Sequence, residues 1–167
     1  MIFYHGSNVV VEQPRILQSE RMLDFGTGFY TTTNREQAAS WSRRVADRRE
    51  PKDQIISIYT FDSEAAERSL AIIRFNEPNG EWLDFVCINR SGREAVKPYD
   101  LVFGPVANDR VYSVVQFYEN GVYDKDEAIK RLKVEKLFDQ ILFHTEKALS
   151  YCQFIRCEKM EGTTNGD

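Results

Sequence analysis

The chain has 167 residues, of which 42% are hydrophobic and 13% aromatic. That is enough for one buried core and too little for two ordinary domains, and no apolar run approaches the roughly 20 residues of a membrane helix. The 26 acidic and 22 basic residues leave a net charge of −4, which gives no overall attraction to a nucleic-acid backbone.

The start of the sequence, MIFYHGSN, lacks the basic and apolar regions of a secretory signal. The three cysteines form no CxxC pair, and with two histidines the usual zinc spacings are absent. We therefore expect a cytoplasmic protein with no membrane association, no disulfide framework and no metal site. One domain is predicted over residues 1–158, followed by a disordered tail over 159–167 that ends in small polar residues.

Strand and helix signals alternate along the whole chain. Asn34 and Asn108 are expected N-caps, because such side chains accept hydrogen bonds from the first helical turn, and Asp124 is expected to open a helix. The two apolar runs after the first helix are expected to be adjacent strands. In chain order we predict a strand at 2–4, a strand at 29–32, a helix at 36–46, strands at 54–61 and 70–75, a helix at 79–89, a strand at 99–103, helices at 108–118 and 124–135, a strand at 139–144, a helix at 145–149 and a strand at 151–157. Without a regular βαβ rhythm, this order favours an α+β fold with a mostly antiparallel sheet.

The first strand is predicted to stop at His5-Gly6-Ser7, which supplies an imidazole, a bare backbone and a hydroxyl within three residues. The imidazole can bond a ribose hydroxyl, and a glycine backbone can approach a carboxamide more closely than a residue with a Cβ can. The alternative interpretation is an ordinary turn with a half-buried histidine.

A second group of candidate residues lies in Gly26-Thr-Gly28-Phe-Tyr30, with Trp41 on the helix that follows. Tyr30 and Trp41 can hold a planar ring such as nicotinamide between them, by stacking worth about 0.5–1.5 kcal/mol beyond burial. The alternative interpretation is two ordinary core aromatics. The glycine pair is not a dinucleotide fingerprint, because it precedes a strand rather than a helix.

Together, HGS, GxGFYTT and a late strand beginning with a polar residue resemble the ADP-ribosyltransferase superfamily. The resemblance is to the branch with a His–Tyr–(Glu/Asp/Gln) triad, which includes the poly-ADP-ribose polymerases and the diphtheria-toxin-like enzymes. The sequence is also similar to uncharacterised bacterial proteins that share the HGS, LDFGxGFYTT, GPVAND and DQIxFHT motifs, some of them thought to be toxin-like. The motifs extend over about residues 2 to 143.

The resemblance implies an ADP-ribosyltransferase-like split, mostly antiparallel β-sheet with flanking helices and NAD as the substrate in its cleft. It implies a catalytic triad of His5, Tyr30 and Gln140, in which His5 bonds the ribose and faces Tyr30 across one groove. The residues implied to bind NAD are His5, Gly6, Ser7, Gly28, Tyr30 and Trp41.

Gln140 is the member of this triad that departs from the usual acidic residue. Loss of nicotinamide leaves an oxocarbenium-like sugar, which a carboxylate ordinarily stabilises. The amide of Gln140 carries no negative charge and cannot act as a base. Three carboxylates are candidates to compensate: Asp139 beside it, Glu146 after the strand and Asp109 after the GPVAN turn.

The function that the resemblance implies is NAD-dependent mono-ADP-ribosyl transfer, a glycosyltransferase activity, by a bacterial toxin or regulator. The acceptor is then an unknown protein or nucleic acid, and a toxin implies an antitoxin partner. Two alternatives stay open: a binding module that recognises NAD or ADP-ribose without catalysis, and an interaction protein with no nucleotide site.

Overall fold

The computed structural model describes residues 1–17, 23–92, 98–106, 109–133 and 137–160. Within these residues the strands are β1 (Ile2–Ser7), β2 (Phe29–Thr31), β3 (Ile55–Phe61), β4 (Ile72–Arg74), β5 (Leu101–Pro105), β6 (Asp139–Phe143) and β7 (Cys152–Lys159). The helices are α1 (Arg35–Ala46), α2 (Ser63–Ser69), α3 (Gly80–Arg90), α4 (Asp109–Glu119), α5 (Lys125–Leu132) and α6 (Glu146–Leu149). The predicted α+β class with mostly antiparallel strands is confirmed.

The strands form two sheets that meet at one corner. The first sheet has the order β1-β3-β7, and the second has the order β2-β6-β5-β4, in which only the β4–β5 pair is parallel among the described strands. An isolated bridge joins the sheets, where the backbone N–H of Tyr4 donates to Thr32 O at 2.9 Å and that of Thr32 donates to Tyr4 O at 3.0 Å. The described residues of β1 and β2 form no further pair, so the sheets separate beyond this bridge.

The core lies in three layers around the two sheets. Aromatic side chains from both sheets fill the space between them, among them Phe3, Phe29 and Phe143. Helix α1 covers the outer face of the first sheet, where Ala38 and Ala39 pack against β3. Helices α3, α4 and α5 cover the outer face of the second sheet around the fully buried Trp82. The small side chains of α1 let it lie close to the first sheet.

Local hydrogen bonds fix the helix starts where the sequence predicts them. Asn34 caps α1 by accepting from Gln37 N at 2.9 Å, and Asp124 caps α5 by accepting from Glu127 N at 2.8 Å. The predicted cap Asn108 lies outside the described residues. Most of the predicted tail also lies outside them, and its first residue, Lys159, is the last residue of β7.

Two predictions about the strands are wrong. His5-Gly6-Ser7 forms the last three residues of β1 rather than a turn after it, because β3 supplies pairing partners as far as Ser7. The run 70–75 is not a neighbour of β3. Asp62 caps the intervening α2, which carries the chain to the second sheet, where β4 pairs in parallel with β5.

In the part of the chain that the structure describes, no helix combines the length and the apolar character that crossing a bilayer requires.

Candidate functional site

A cavity of about 360 Å³ lies against β2, the edge strand of the second sheet. Its volume falls within the roughly 300–1,000 Å³ that small-molecule sites occupy. Strand β2, helices α1 and α3, strand β6 and the segment before β2 all contribute to its wall. The lining residues are Leu23, Asp24, Tyr30, Trp41, Arg90, Val106 and Gln140.

Tyr30 is held firmly in the cavity wall by its hydroxyl group. The hydroxyl donates to Gly26 O at 2.7 Å and accepts from Phe25 N at 3.2 Å. Burial raises the pKa of Tyr30 well above its ordinary value, so the phenol stays neutral and continues to donate. The ring is therefore a rigid, uncharged face, and the same hydroxyl fixes the loop that carries Asp24.

Trp41 reaches the cavity because α1 lies unusually close to β1. An added Cβ on Gly6 would lie 1.9 Å from the carbonyl oxygen of Ala38 and 2.8 Å from the backbone N of Ser42. No residue with a side chain fits between the strand and the helix at that point. Gly6 therefore sets the height of the helical turn that presents Trp41.

The backbone edges of β1 and β2 face each other where the sheets separate. In an antiparallel strand, alternate residues direct their N–H and C=O groups to the same side. Tyr4 directs its groups to Thr32, so Gly6 directs its groups to the same side, and Tyr30 likewise directs its groups toward β1. Among the described residues, Gly6 forms no backbone hydrogen bond outside the strand ladder. A donor and an acceptor thus face the opening between the sheets.

The side chain of His5 contacts the backbone carbonyl of Tyr30 and the ring of Phe29. Its Nδ1 lies 2.7 Å from Tyr30 O, and its ring packs on Phe29 with centroids 4.4 Å apart. Side chains alternate along a strand, so Phe29 and Tyr30 point to opposite faces of β2. The expected arrangement of the His5 and Tyr30 side chains across one groove is therefore not observed, and His5 does not line the cavity.

The second ring nitrogen of His5 has no hydrogen-bond partner among the described residues. Burial lowers the pKa of His5, so the neutral ring donates from Nδ1 to Tyr30 O and leaves Nε2 as an acceptor. Within the described residues Nε2 has no hydrogen-bond partner, and no unpaired side-chain nitrogen or oxygen is buried. Nε2 consequently keeps solvent-accessible surface.

The lowered pKa of His5 gives a prediction for stability. As the pH falls through 6.5, the ordinary pKa of histidine, the unfolded chain binds a proton before the native chain does. The contribution of His5 is complete above that pH and is lost as the pH falls toward the lower pKa of the native state.

We expect the free energy of unfolding in urea to fall less for His5→Gln than for wild type between about pH 7.5 and pH 5. His144 is present in both proteins, so the difference between the two curves isolates His5. Parallel curves would contradict a buried neutral imidazole at this position.

Gln140 lies on the cavity wall beside a buried ion pair that the sequence analysis did not identify. Its Nε2 donates to Asp24 Oδ2 at 3.3 Å and to Pro105 O at 3.5 Å. Arg90 donates to Asp24 Oδ1 from Nε at 2.7 Å and from a terminal nitrogen at 2.5 Å. The side chains of Arg90 and Asp24 are 15% and 9% exposed, so a charged pair lines a site that also contains two aromatic rings.

Of the three carboxylates proposed to compensate for Gln140, the two whose side chains the structure describes, Asp139 and Glu146, do not line the cavity. Asp139 lies on the opposite face of β6 and accepts hydrogen bonds from Thr32 and Thr33, which fixes the turn into α1. Glu146 accepts from Ile16 N in the first turn of α6. The side chain of Asp109 lies outside the described residues.

Gly28 and Ser7, two further predicted NAD-binding residues, do not line the cavity either. Gly28 packs against β6, where an added Cβ would lie 2.3 Å from the Phe143 carbonyl oxygen, so its lack of a side chain has a structural reason. Ser7 pairs with Ile55 at the end of β1. Of the predicted set, the structure brings together Tyr30, Trp41 and Gln140 on one cavity.

Asp24 and Arg90 are the cavity residues that sequence reasoning missed. Asp24 belongs to the LDFGxGFYTT motif, which leads into the aromatic strand, so this motif could have identified Asp24 as a candidate site residue. Arg90 had no such signal, because it ends a different helix and is 66 residues away from its partner.

The sequence model of a family described as a protein of unknown function (DUF3990) matches residues 1–154. No curated protein and no solved structure matches the chain.

Proposed function

The chain belongs to the DUF3990 family of proteins of unknown function, and we propose that it is an NAD-dependent mono-ADP-ribosyltransferase-like protein whose cavity takes the nicotinamide half of NAD. The observation that carries this proposal is the shared position of Tyr30 and Trp41. A strand residue and a helix residue, eleven positions apart in the sequence, line one cavity.

The size and wall of the cavity suit one half of a dinucleotide. A volume of about 360 Å³ is at the small end of ligand sites, so the adenosine half would lie outside it. Two aromatic walls favour a flat heteroaromatic ring through offset stacking or edge-to-face contact. Nicotinamide is such a ring.

The edge of β1 supports recognition of the nicotinamide carboxamide. A carboxamide offers one carbonyl acceptor and one NH₂ donor, and Gly6 offers the complementary N–H and C=O toward the opening between the sheets. Gly6 also contacts α1 within one turn of Trp41, so both groups would act on the same ring. The neighbouring residue, His5, would accept a hydrogen bond from a ribose hydroxyl through Nε2, which has no partner among the described residues.

The chemistry proposed is cleavage of the bond between the ribose C1′ and the nicotinamide nitrogen. The bonding electrons leave with the nicotinamide ring, whose positive charge they neutralise, and an acceptor forms a new bond at C1′. We propose a protein or nucleic-acid acceptor, with a toxin or regulatory role and a neutralising antitoxin partner as part of the same hypothesis.

A second candidate function is NAD or ADP-ribose binding without turnover. The observation that favours it is Gln140, an amide at the strand position where the resembling enzymes carry an acid. It shares the ligand and the cavity with the first proposal and differs from it only in nicotinamide release.

The test is a calorimetric titration of NAD into the purified chain, followed by mass spectrometry for free nicotinamide and for transferred ADP-ribose. We expect binding of NAD and of nicotinamide mononucleotide and no binding of AMP, because the cavity takes the nicotinamide half. Free NAD at about 100 times its Kd would raise the free energy of unfolding by about 2.7 kcal/mol.

Each outcome of this titration separates the hypotheses. Binding with nicotinamide release supports a transferase, and binding without release supports the second candidate. The absence of binding for both NAD and nicotinamide mononucleotide would refute both and leave an interaction protein.

A further inference from the structure

We propose that Asp24 is the catalytic carboxylate of the cavity and takes the role that Gln140, as an amide, cannot fill. This inference rests on the proposed NAD-cleaving function and identifies the residue that would stabilise the ribose cation and accept a proton. Among the described lining residues, Asp24 is the one with an acidic side chain.

The position of Asp24 is set by the same residue that forms the wall for the ring. Tyr30 bonds both Phe25 N and Gly26 O, the backbone groups that directly follow Asp24. Tyr99 adds a hydrogen bond to Phe25 O at 2.8 Å. The carboxylate is therefore fixed relative to the aromatic wall and does not depend on a mobile loop, as electrostatic catalysis requires.

Arg90 orients the carboxylate so that its two oxygens differ. Both guanidinium contacts go to Oδ1, at 2.7 and 2.5 Å, whereas Oδ2 accepts from Gln140 at the longer distance of 3.3 Å. The Arg90 guanidinium in turn lies 4.4 Å from the ring centroid of Tyr112. A carboxylate accepts several hydrogen bonds in all, and in the proposed role Asp24 accepts one from a ligand hydroxyl.

Gln140 then has a different role from the one its position first implies. Its amide donates to Asp24 and to Pro105 O from inside the wall, with 4% of the residue exposed. We assign it as a positioning residue that holds Oδ2 at the cavity. Gln140 and Asp24 would act together. The negative charge would then come from Asp24, before β2, and not from an acidic residue at position 140 on β6.

The reaction step balances with NAD and a hydroxyl nucleophile, of which water is the simplest. The C1′–N bond breaks, its electron pair goes to the nicotinamide ring, and the ribose becomes an oxocarbenium-like cation. The Asp24 carboxylate stabilises this cation and accepts the proton of the hydroxyl as its oxygen bonds C1′. The products with water are nicotinamide, ADP-ribose and a proton that Asp24 passes to solvent.

The experiment compares wild type with Asp24→Asn, which keeps the shape of the side chain and removes its charge. We expect nicotinamide release at saturating NAD to fall by roughly 100-fold or more, within the range that one acid–base group contributes. The Kd for NAD should change by less than about threefold, because the ring and carboxamide contacts remain. A merely structural role would instead change kcat and Kd together.

Two further variants control for folding and for the loss of an ion pair. Asp84→Asn removes the partner of Lys125 on the surface of α3, outside the cavity, and should release nicotinamide as wild type does. The double change Asp24→Asn with Gln140→Glu returns one carboxylate to the cavity beside Arg90. We expect it to recover turnover to within about tenfold of wild type.

The outcomes are decisive in each case. Folded Asp24→Asn with nearly unchanged turnover overturns the inference, as does wild type that binds NAD and releases no nicotinamide. If Asp24→Asn does not fold, the double variant decides: turnover supports the inference, and NAD binding without turnover overturns it. Wild type that does not bind NAD is instead a failure of the proposed function itself.

Discussion

Gly6→Ala is expected to destabilise the protein by about 3 kcal/mol, the upper end of the usual range for overpacking. The new methyl group would meet backbone atoms of α1, the Ala38 carbonyl oxygen at 1.9 Å and the Ser42 nitrogen at 2.8 Å. Backbone atoms cannot rotate away as the end of a side chain can, so the helix must move from the strand. Urea unfolding followed by circular dichroism measures the loss, which corresponds to roughly 6–12 °C in Tm for a chain of this size.

The control is Gly121→Ala, where an added Cβ meets nothing within 4 Å but the backbone has a φ of +70°. That change tests conformational strain alone and should cost roughly 1–2 kcal/mol. A smaller loss for Gly6→Ala than for Gly121→Ala would show that α1 does not press against β1 as the structure places it.

Trp41→Ala is expected to weaken NAD binding by roughly 10- to 100-fold while the chain stays folded. Stacking of a heteroaromatic base on an aromatic side chain contributes about 1–3 kcal/mol by alanine substitution, and each 1.4 kcal/mol is a tenfold change in Kd. Trp41 is only partly buried and lines the cavity, so its removal enlarges the cavity more than it disrupts the core. Calorimetric titration of NAD gives the Kd of each protein.

The matched control for this change is Trp41→Phe, which keeps an aromatic face and should bind NAD within a few-fold of wild type. Intrinsic fluorescence adds an independent measurement, because the chain has two tryptophans and the other, Trp82, is fully buried under the second sheet. Quenching by NAD should therefore disappear in Trp41→Ala. Unchanged affinity in that variant would remove the ring-stacking argument for the cavity.

The positions of Tyr30 and Trp41 in the cavity depend mainly on local structure. Tyr30 and Trp41 were predictable partners from their aromatic character and their positions on a strand and the following helix. Their spacing is preserved because Asn34 starts α1 at a fixed point after β2, through its hydrogen bond to Gln37 N. Local hydrogen bonding thus transmits the sequence motif directly to the geometry of the cavity.

The role of Gly6 was predicted only in part. A glycine was expected to allow a close approach, and the structure shows that the approaching group is the backbone of α1. The orientation of its N–H and C=O could not be obtained from the sequence, because it depends on the parity of the single bridge between Tyr4 and Thr32. If the residue of β1 that pairs with Thr32 were shifted by one position, the N–H and C=O of Gly6 would point toward β3.

By itself, the sequence determined the α+β class, the capped start of α1, the opening of α5 near Asp124, and the aromatic strand that lines the cavity. These features follow from interactions within a few residues, namely side-chain caps, strand-forming residue types and apolar spacing. Only the tertiary structure decided that β4 joins the second sheet, that His5 packs on Phe29, and that Asp24 meets Arg90 and Gln140. Such contacts join residues far apart in the chain, and they form because burying the apolar faces of two sheets and their helices brings these residues together.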